Sequence, residues 1–99
     1  MTTDIRRFGT TATGQSVEAI TLRAGELTAR VLTFGATLQD LRLAGTPWPL
    51  VLGSDLLSAY EQRLHWCGAV VGPVANRLFR AQVTLDGRLW QARPNDGAN

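Results

Sequence analysis

The chain has 99 residues, 44% hydrophobic and 18% charged, with a formal net charge of +2. That length holds one domain or less, and that composition excludes a disordered tail. No apolar run approaches the ~18 residues of a membrane span, the opening stretch MTTDIRRFGTTATG has no apolar signal core, and a single cysteine, Cys67, excludes an intrachain disulfide and a multi-cysteine zinc site.

A cytoplasmic setting is therefore the default expectation. All ten basic residues are arginine, scattered one or two at a time, and Arg6-Arg7 is the only adjacent pair. A nucleic-acid binder concentrates such residues on one face or segment. The scatter reads instead as a solvated surface, with neither nucleic acid nor membrane as a partner.

Along the chain, period-two hydrophobicity is broken by glycine turns. Residues 17–23 predict a strand, Ala24-Gly25-Glu26 a hairpin link, and residues 27–34 a second strand. Leu27, Ala29, Val31 and Thr33 share one face of it, and Thr28, Arg30, Leu32 and Phe34 the other. Apolar residues on both faces place this strand centrally and mostly covered. Gly35 ends it, and residues 37–43 predict a third strand. In Thr46-Pro47-Trp48-Pro49 the prolines forbid ladder bonding. Leu50-Val51-Leu52 reads as a brief strand closed by Gly53.

A short helix is predicted around 54–61. Ser54 would cap it, Asp55 would sit in the first turn where the helix dipole favours negative charge, and Leu56, Leu57 and Tyr60 fall at helical spacing. Two turns are too few to stand alone. Strands are expected to resume at residues 68–71. Phe79, Ala81, Val83 and Leu85 alternate with Arg80, Gln82 and Thr84. Asp86-Gly87 is a hairpin signal, and residues 88–93 form the return strand. The chain then closes on a turn-forming run, Asn95-Asp96-Gly97-Ala98-Asn99.

The fold class is thus all-β, part of a sandwich with one short helix. Residues 1–99 read as a single incomplete domain, the N-terminal segment of something longer. Sheet edges left uncovered in this way invite self-association.

Chemistry-bearing residues are few. His65, the single histidine, precedes Trp66 and reads as a packing or surface residue. With no second histidine and no suggestive carboxylate pair, no metal site is expected. Ser16, Ser54 and Ser58 lack a nucleophile-elbow context. Cys67, inside an apolar run, reads as buried and inert. The Gly9 to Gly14 stretch lacks the lysine of a phosphate-binding loop.

What remains is Gly72-Pro73-Val74-Ala75-Asn76-Arg77. An amide with one acceptor and two donors stands beside a rigid fork of donors, a pair suited to sugar hydroxyls. Neighbours on a regular strand point to opposite faces, so both reach one ligand only where the backbone bends, as Gly72 and Pro73 allow. The competing reading is an arginine ion pair beside an asparagine turn.

The run GAVVGPVANRL, followed by VTLDGRLWQARPNDGAN, resembles the N-terminal part of the aldose 1-epimerase (galactose mutarotase) family. VEAITLRAGELTARVLTFGATLQDLRLAG and LVLGSDLLSAYE resemble it in the same order, so the likeness runs from about Gly14 to Asn99. Its most specific parts are Gly-x-x-Ala-Asn-Arg and the closing Asn-x-Gly-x-Asn.

The resemblance implies a large galactose-mutarotase-like β-sandwich with the sugar in a cleft on its concave face. It implies interconversion of the α and β anomers of free hexoses such as glucose or galactose, without a cofactor. A glutamate would act as general base on the anomeric hydroxyl and a histidine as general acid on the ring oxygen. The ring would open, rotate about C1–C2 and reclose. A second histidine and an aspartate would hold the sugar hydroxyls.

The family's substrate-binding arginine falls on Arg77 and its neighbouring asparagine on Asn76. The family's closing motif continues into a Leu-His-Gly-Gly segment, whereas this sequence stops at Asn99, and the catalytic groups come from later strands. The resemblance therefore places no catalytic residue in this chain, and His65 matches none of the family's positions. Pro73 departs from the arginine that often stands there, which bears on substrate preference. Gly35 and Gly53 are expected at strand ends, with Asp55 and Tyr60 in capping and packing.

Two other readings stay open. In a hexose-6-phosphate 1-epimerase, additional arginines would grip the phosphate through bidentate bonds. In a non-catalytic carbohydrate-binding module, the arginine would be kept and the acid and base lost.

Overall fold

The computed structural model describes residues 2–74 and 76–99. Strands β1 (Thr2–Thr10), β2 (Ser16–Ala24), β3 (Leu27–Leu32) and β4 (Leu38–Leu43) form an antiparallel meander in that order. Helix α1 (Leu57–Glu61) follows, then a 3₁₀ turn (Phe79–Ala81) and a separate hairpin of β5 (Gln82–Leu85) and β6 (Arg88–Gln91). The architecture is all-β with one short helix, as the sequence predicts.

The register explains what each face of the meander does. Asp4 pairs with Thr21, Thr21 with Arg30, and Arg30 with Asp40. Because side chains alternate across a strand, Asp4, Arg6, Thr21, Arg23, Thr28, Arg30, Asp40 and Arg42 share one face. Ile5, Ile20, Leu22, Leu27, Ala29, Val31, Leu41 and Leu43 share the other. Toward one end the polar face turns apolar. There Val17, Ala19 and Leu32 meet Leu57 and Tyr60 of α1 in a buried cluster, with Phe8, Phe34 and Leu64 packed against it.

β1 carries no period-two apolar signal, and the sequence does not predict it. It forms by backbone pairing to β2, with a bulge between Arg7 and Gly9. An edge strand needs that ladder more than it needs alternation. β3 is central, as read, yet Leu27 is exposed and residues 28–31 are only half-buried, so it is not mostly covered. It also stops at Leu32, because Gly35 and Ala36 take left-handed conformations in the following turn.

No regular strand forms at residues 50–52 or 68–71. Each stretch instead touches β4 through a single backbone bond, Leu50 N–H to the Leu41 carbonyl and Leu38 N–H to the Gly68 carbonyl, both 2.8 Å. Pro49 has no N–H to extend the first pairing. At Gly53 and Gly68 the chain comes so close to β4 that an added Cβ would meet the backbone carbonyls of Gln39 and Leu38.

The helix begins at Leu57, not at Ser54. Ser54 Oγ accepts from Leu56 N–H at 3.1 Å and closes a turn ahead of the helix, so neither Ser54 nor Asp55 belongs to its first turn. Leu57 and Tyr60 are buried, as their spacing implies, while Leu56 is exposed. The Tyr60 hydroxyl accepts from Ser54 N–H at 2.9 Å.

β5 starts at Gln82 because Arg80 and Ala81 are both left-handed, which breaks the alternation expected from Phe79 onward. β6 ends at Gln91, two residues short of the predicted strand end at Arg93. The accessible surface is 7651 Å², against about 5,500 Å² for a compact protein of this mass. The radius of gyration of 17.1 Å tells the same story, since a compact chain of this length has about 13 Å. The excess reflects the open apolar sheet face and the outlying hairpin. Among the described residues, no helix is long and apolar enough to cross a membrane.

Candidate functional site

The candidate site lies in residues 72–99. The Gly72-Pro73 peptide is cis, and Asn76 is left-handed with φ of 63°. Asparagine tolerates that conformation better than most residues. Ala75, inside the predicted run, lies outside the described residues. Asn76 thus leaves the extended conformation of a regular strand, and both Asn76 and Arg77 are exposed.

The Arg77 guanidinium does not stand free. Its Nη1 lies 2.9 Å from Asp96 Oδ2, with both side chains about 60% exposed. Asp96 is held by the closing turn, where Asn95 N–H and Asp96 N–H both donate to the Asn99 carbonyl at 2.8 and 3.0 Å. Asn99 Oδ1 in turn accepts from Arg80 N–H at 3.1 Å. The closing turn is thus tied twice to the segment that carries Arg77. An exposed ion pair of this kind is worth about 0.2–1 kcal/mol. A hydroxyl-bearing ligand can displace it at little cost. The geometry is that of the competing reading, an ion pair beside an asparagine turn, and it leaves both side chains at the surface.

One organising residue escaped the sequence reading. Gln91 Nε2 lies 3.3, 3.2 and 2.9 Å from the carbonyls of Arg80, Ala81 and Ala92, and its Oε1 accepts from Gln82 Nε2 at 2.7 Å. It gathers the carbonyls that the left-handed pair Arg80-Ala81 turns aside. A glutamine in an exposed strand gives no such signal in sequence.

His65 is exposed, with Nδ1 2.7 Å from the Gln62 carbonyl and its ring 4.5 Å from Trp66, a surface packing arrangement as read. Cys67 is half-buried rather than buried. The apolar run around it is open, with Trp66, Val70 and Val71 all exposed. Among the described residues, no three His, Cys, Asp or Glu side chains gather into a metal-binding group. One depression of about 300 Å³ lies over β1–β3 and another of about 110 Å³ beside Gln39 and Ser54, and neither is lined by Asn76 or Arg77.

The sequence model of the aldose 1-epimerase family matches residues 18–99. The galactose mutarotase of Bos taurus is 36% identical over 87 residues, covering 85% of this chain and 25% of that protein. The aldose 1-epimerase of Escherichia coli K12 is 31% identical over 91 residues, covering 87% of this chain and 26% of its own length. The solved galactose 1-epimerase from Lactobacillus acidophilus NCFM superposes with a TM-score of 0.73, on 99% of this chain and 29% of its own, at 24% identity. That last likeness is one of fold. The chain spans about a quarter of the length of the curated relatives it matches.

Proposed function

The chain belongs to the aldose 1-epimerase family, and from that premise we propose that it is the N-terminal part of a mutarotase domain acting on a free aldohexose such as glucose or galactose. In this reading Asn76 and Arg77 bind sugar hydroxyls. The observation that carries it is the exposed, left-handed Asn76 beside Arg77, inside the matched region, with a guanidinium whose ion-pair partner is itself solvent-exposed. A rigid donor fork beside an amide suits vicinal hydroxyls, which donate and accept.

Anomer exchange needs an acid on the ring oxygen and a base on the anomeric hydroxyl, each positioned within hydrogen-bond reach. The single histidine of the chain, His65, sits in the turns after α1 against Trp66 and the Gln62 carbonyl, and is given no part in this step. The acid and base are assigned to residues outside this chain. No cofactor enters the step, a cytoplasmic setting suits it, and the outer edge of β1 is the route for any self-association.

Polarimetry of freshly dissolved α-D-glucose and α-D-galactose tests the reading. A longer protein that carries these residues is expected to speed mutarotation, and the 99 residues alone are not. In the longer protein, Arg77→Ala should raise KM about tenfold or more with a smaller change in kcat. Activity in the 99 residues, or a folded Arg77→Ala protein with unchanged KM, would overturn it.

A further inference from the structure

The polar face of the meander holds a feature that the sugar-binding reading does not use. The depression over β1–β3 is lined by four guanidinium groups, Arg6, Arg7, Arg23 and Arg30, around Thr21, with one carboxylate, Asp4. Arg6, Arg23 and Arg30 are there by strand alternation. Arg7 lines it beside the β1 bulge, where the register shifts. Arg7 Nη2 donates to Thr10 Oγ1 at 2.6 Å.

The charges in this cluster do not balance. Asp4 is taken by Arg6 at 2.8 Å, and the nearby Asp40 by Arg42 at 3.0 Å. Among the described residues, Arg23 and Arg30 have no carboxylate within ion-pair distance. They sit on adjacent strands one rung apart, since Thr21 pairs with Arg30 and Arg23 with Thr28. Arg23 is thus the diagonal neighbour of Arg30, while Asp40, directly opposite Arg30 on β4, gives both carboxylate oxygens to Arg42 Nε. Arg30 is half-buried, and among the described residues its Nη1 donates only to Gln39 Oε1, at 3.5 Å. Thr21, between them, is 7% exposed.

The opposite face of the same sheet is apolar, so a covering layer belongs there. On the arginine face, α1 covers only the apolar end, at Val17, Ala19 and Leu32. The depression therefore stays open to a ligand. A group that relieves this cluster carries at least one negative charge and several acceptor oxygens, and a tetrahedral phosphate matches the donor forks bidentately.

We propose that the β1–β3 face binds a phosphate group, either free phosphate or the phosphate of a phosphomonoester, through Arg23 and Arg30 with Arg6 and Arg7 alongside. This site stands apart from the Asn76-Arg77 bend and does not rest on the mutarotase reading. Isothermal titration of the full chain at low ionic strength tests it, with inorganic phosphate, glucose 6-phosphate and glucose as three probes. Both phosphate probes should bind and glucose should leave their binding unchanged. Equal affinity for the two marks free phosphate as the ligand; tighter glucose 6-phosphate marks a phosphomonoester. Arg23→Gln and Arg30→Gln should each weaken binding about tenfold, while Arg93→Gln should not. Asp4→Asn should tighten it severalfold by removing the competing carboxylate. No phosphate binding by the folded chain, or binding indifferent to Arg23, Arg30 and Asp4, overturns the proposal.

Discussion

The meander with α1 and the segment from residue 72 onward are built on different principles. Nearly every buried side chain lies in the first, including Val17, Ala19, Leu32, Leu57 and Tyr60, whereas Ala81 is the one buried residue described after Tyr60. The first region is held by a four-stranded ladder and an apolar cluster. The second is held by a two-stranded hairpin, an exposed ion pair and side-chain amides on backbone carbonyls. Stability is thus concentrated in one region, and the candidate sugar contacts stand in the other.

The sharpest way to break this contrast is to remove the core of the first region. Leu32 is 1% exposed at the centre of the cluster. Leu32→Ala is expected to cost about 2–5 kcal/mol, a large part of the stability of a small domain. A urea titration followed by far-UV circular dichroism should show the midpoint fall steeply. Hydrogen exchange should show protection of Ile20 and Val31 collapse. An unchanged midpoint would mean that the core does not carry the fold.

Gln91→Ala probes the other region at smaller cost. It removes the donor shared by three carbonyls, an effect of about 0.5–1.5 kcal/mol confined to residues 80–92. Exchange at Val83 and Trp90 should quicken, while Ile20 and Val31 keep their protection. A two-stranded hairpin is marginal by itself, so these amides should already exchange faster than those of β2 and β3 before any substitution. Equal loss in both regions would show that they unfold as one unit.

The sequence is legible where pairing and burial coincide. β2, β3 and β4 follow from alternation and from the glycine turns between them, and the β5–β6 hairpin follows from Asp86-Gly87. It is illegible where backbone geometry acts without an apolar pattern. β1 is made by its neighbour's ladder, and residues 50–52 and 68–71 each join β4 through a single backbone bond. Arg80 and Ala81 leave the strand through left-handed conformations that neither residue type advertises. At the candidate site, the Asn-Arg pair and the closing turn could be read from residue types alone. Their connection through Asp96 and Asn99 could not, because it joins positions nineteen apart through side chains that also suit open solvent.

The smallest expected effect falls on that connection. Asp96→Asn removes the charge facing Arg77 but keeps an acceptor of the same shape, and an exposed pair contributes at most about 1 kcal/mol. The melting temperature should therefore barely move. The nitrogen resonance of the Arg77 side chain should shift and broaden as the guanidinium loses its partner. The two readouts must separate, since a purely structural bond would lower stability along with them. If Asp96 competes with a sugar for the guanidinium, the same variant in a longer mutarotase should also lower KM with kcat little changed, because the ligand no longer displaces a carboxylate. A raised KM would mean instead that Asp96 orients Arg77 for the sugar, so the direction of the change assigns the role of the ion pair.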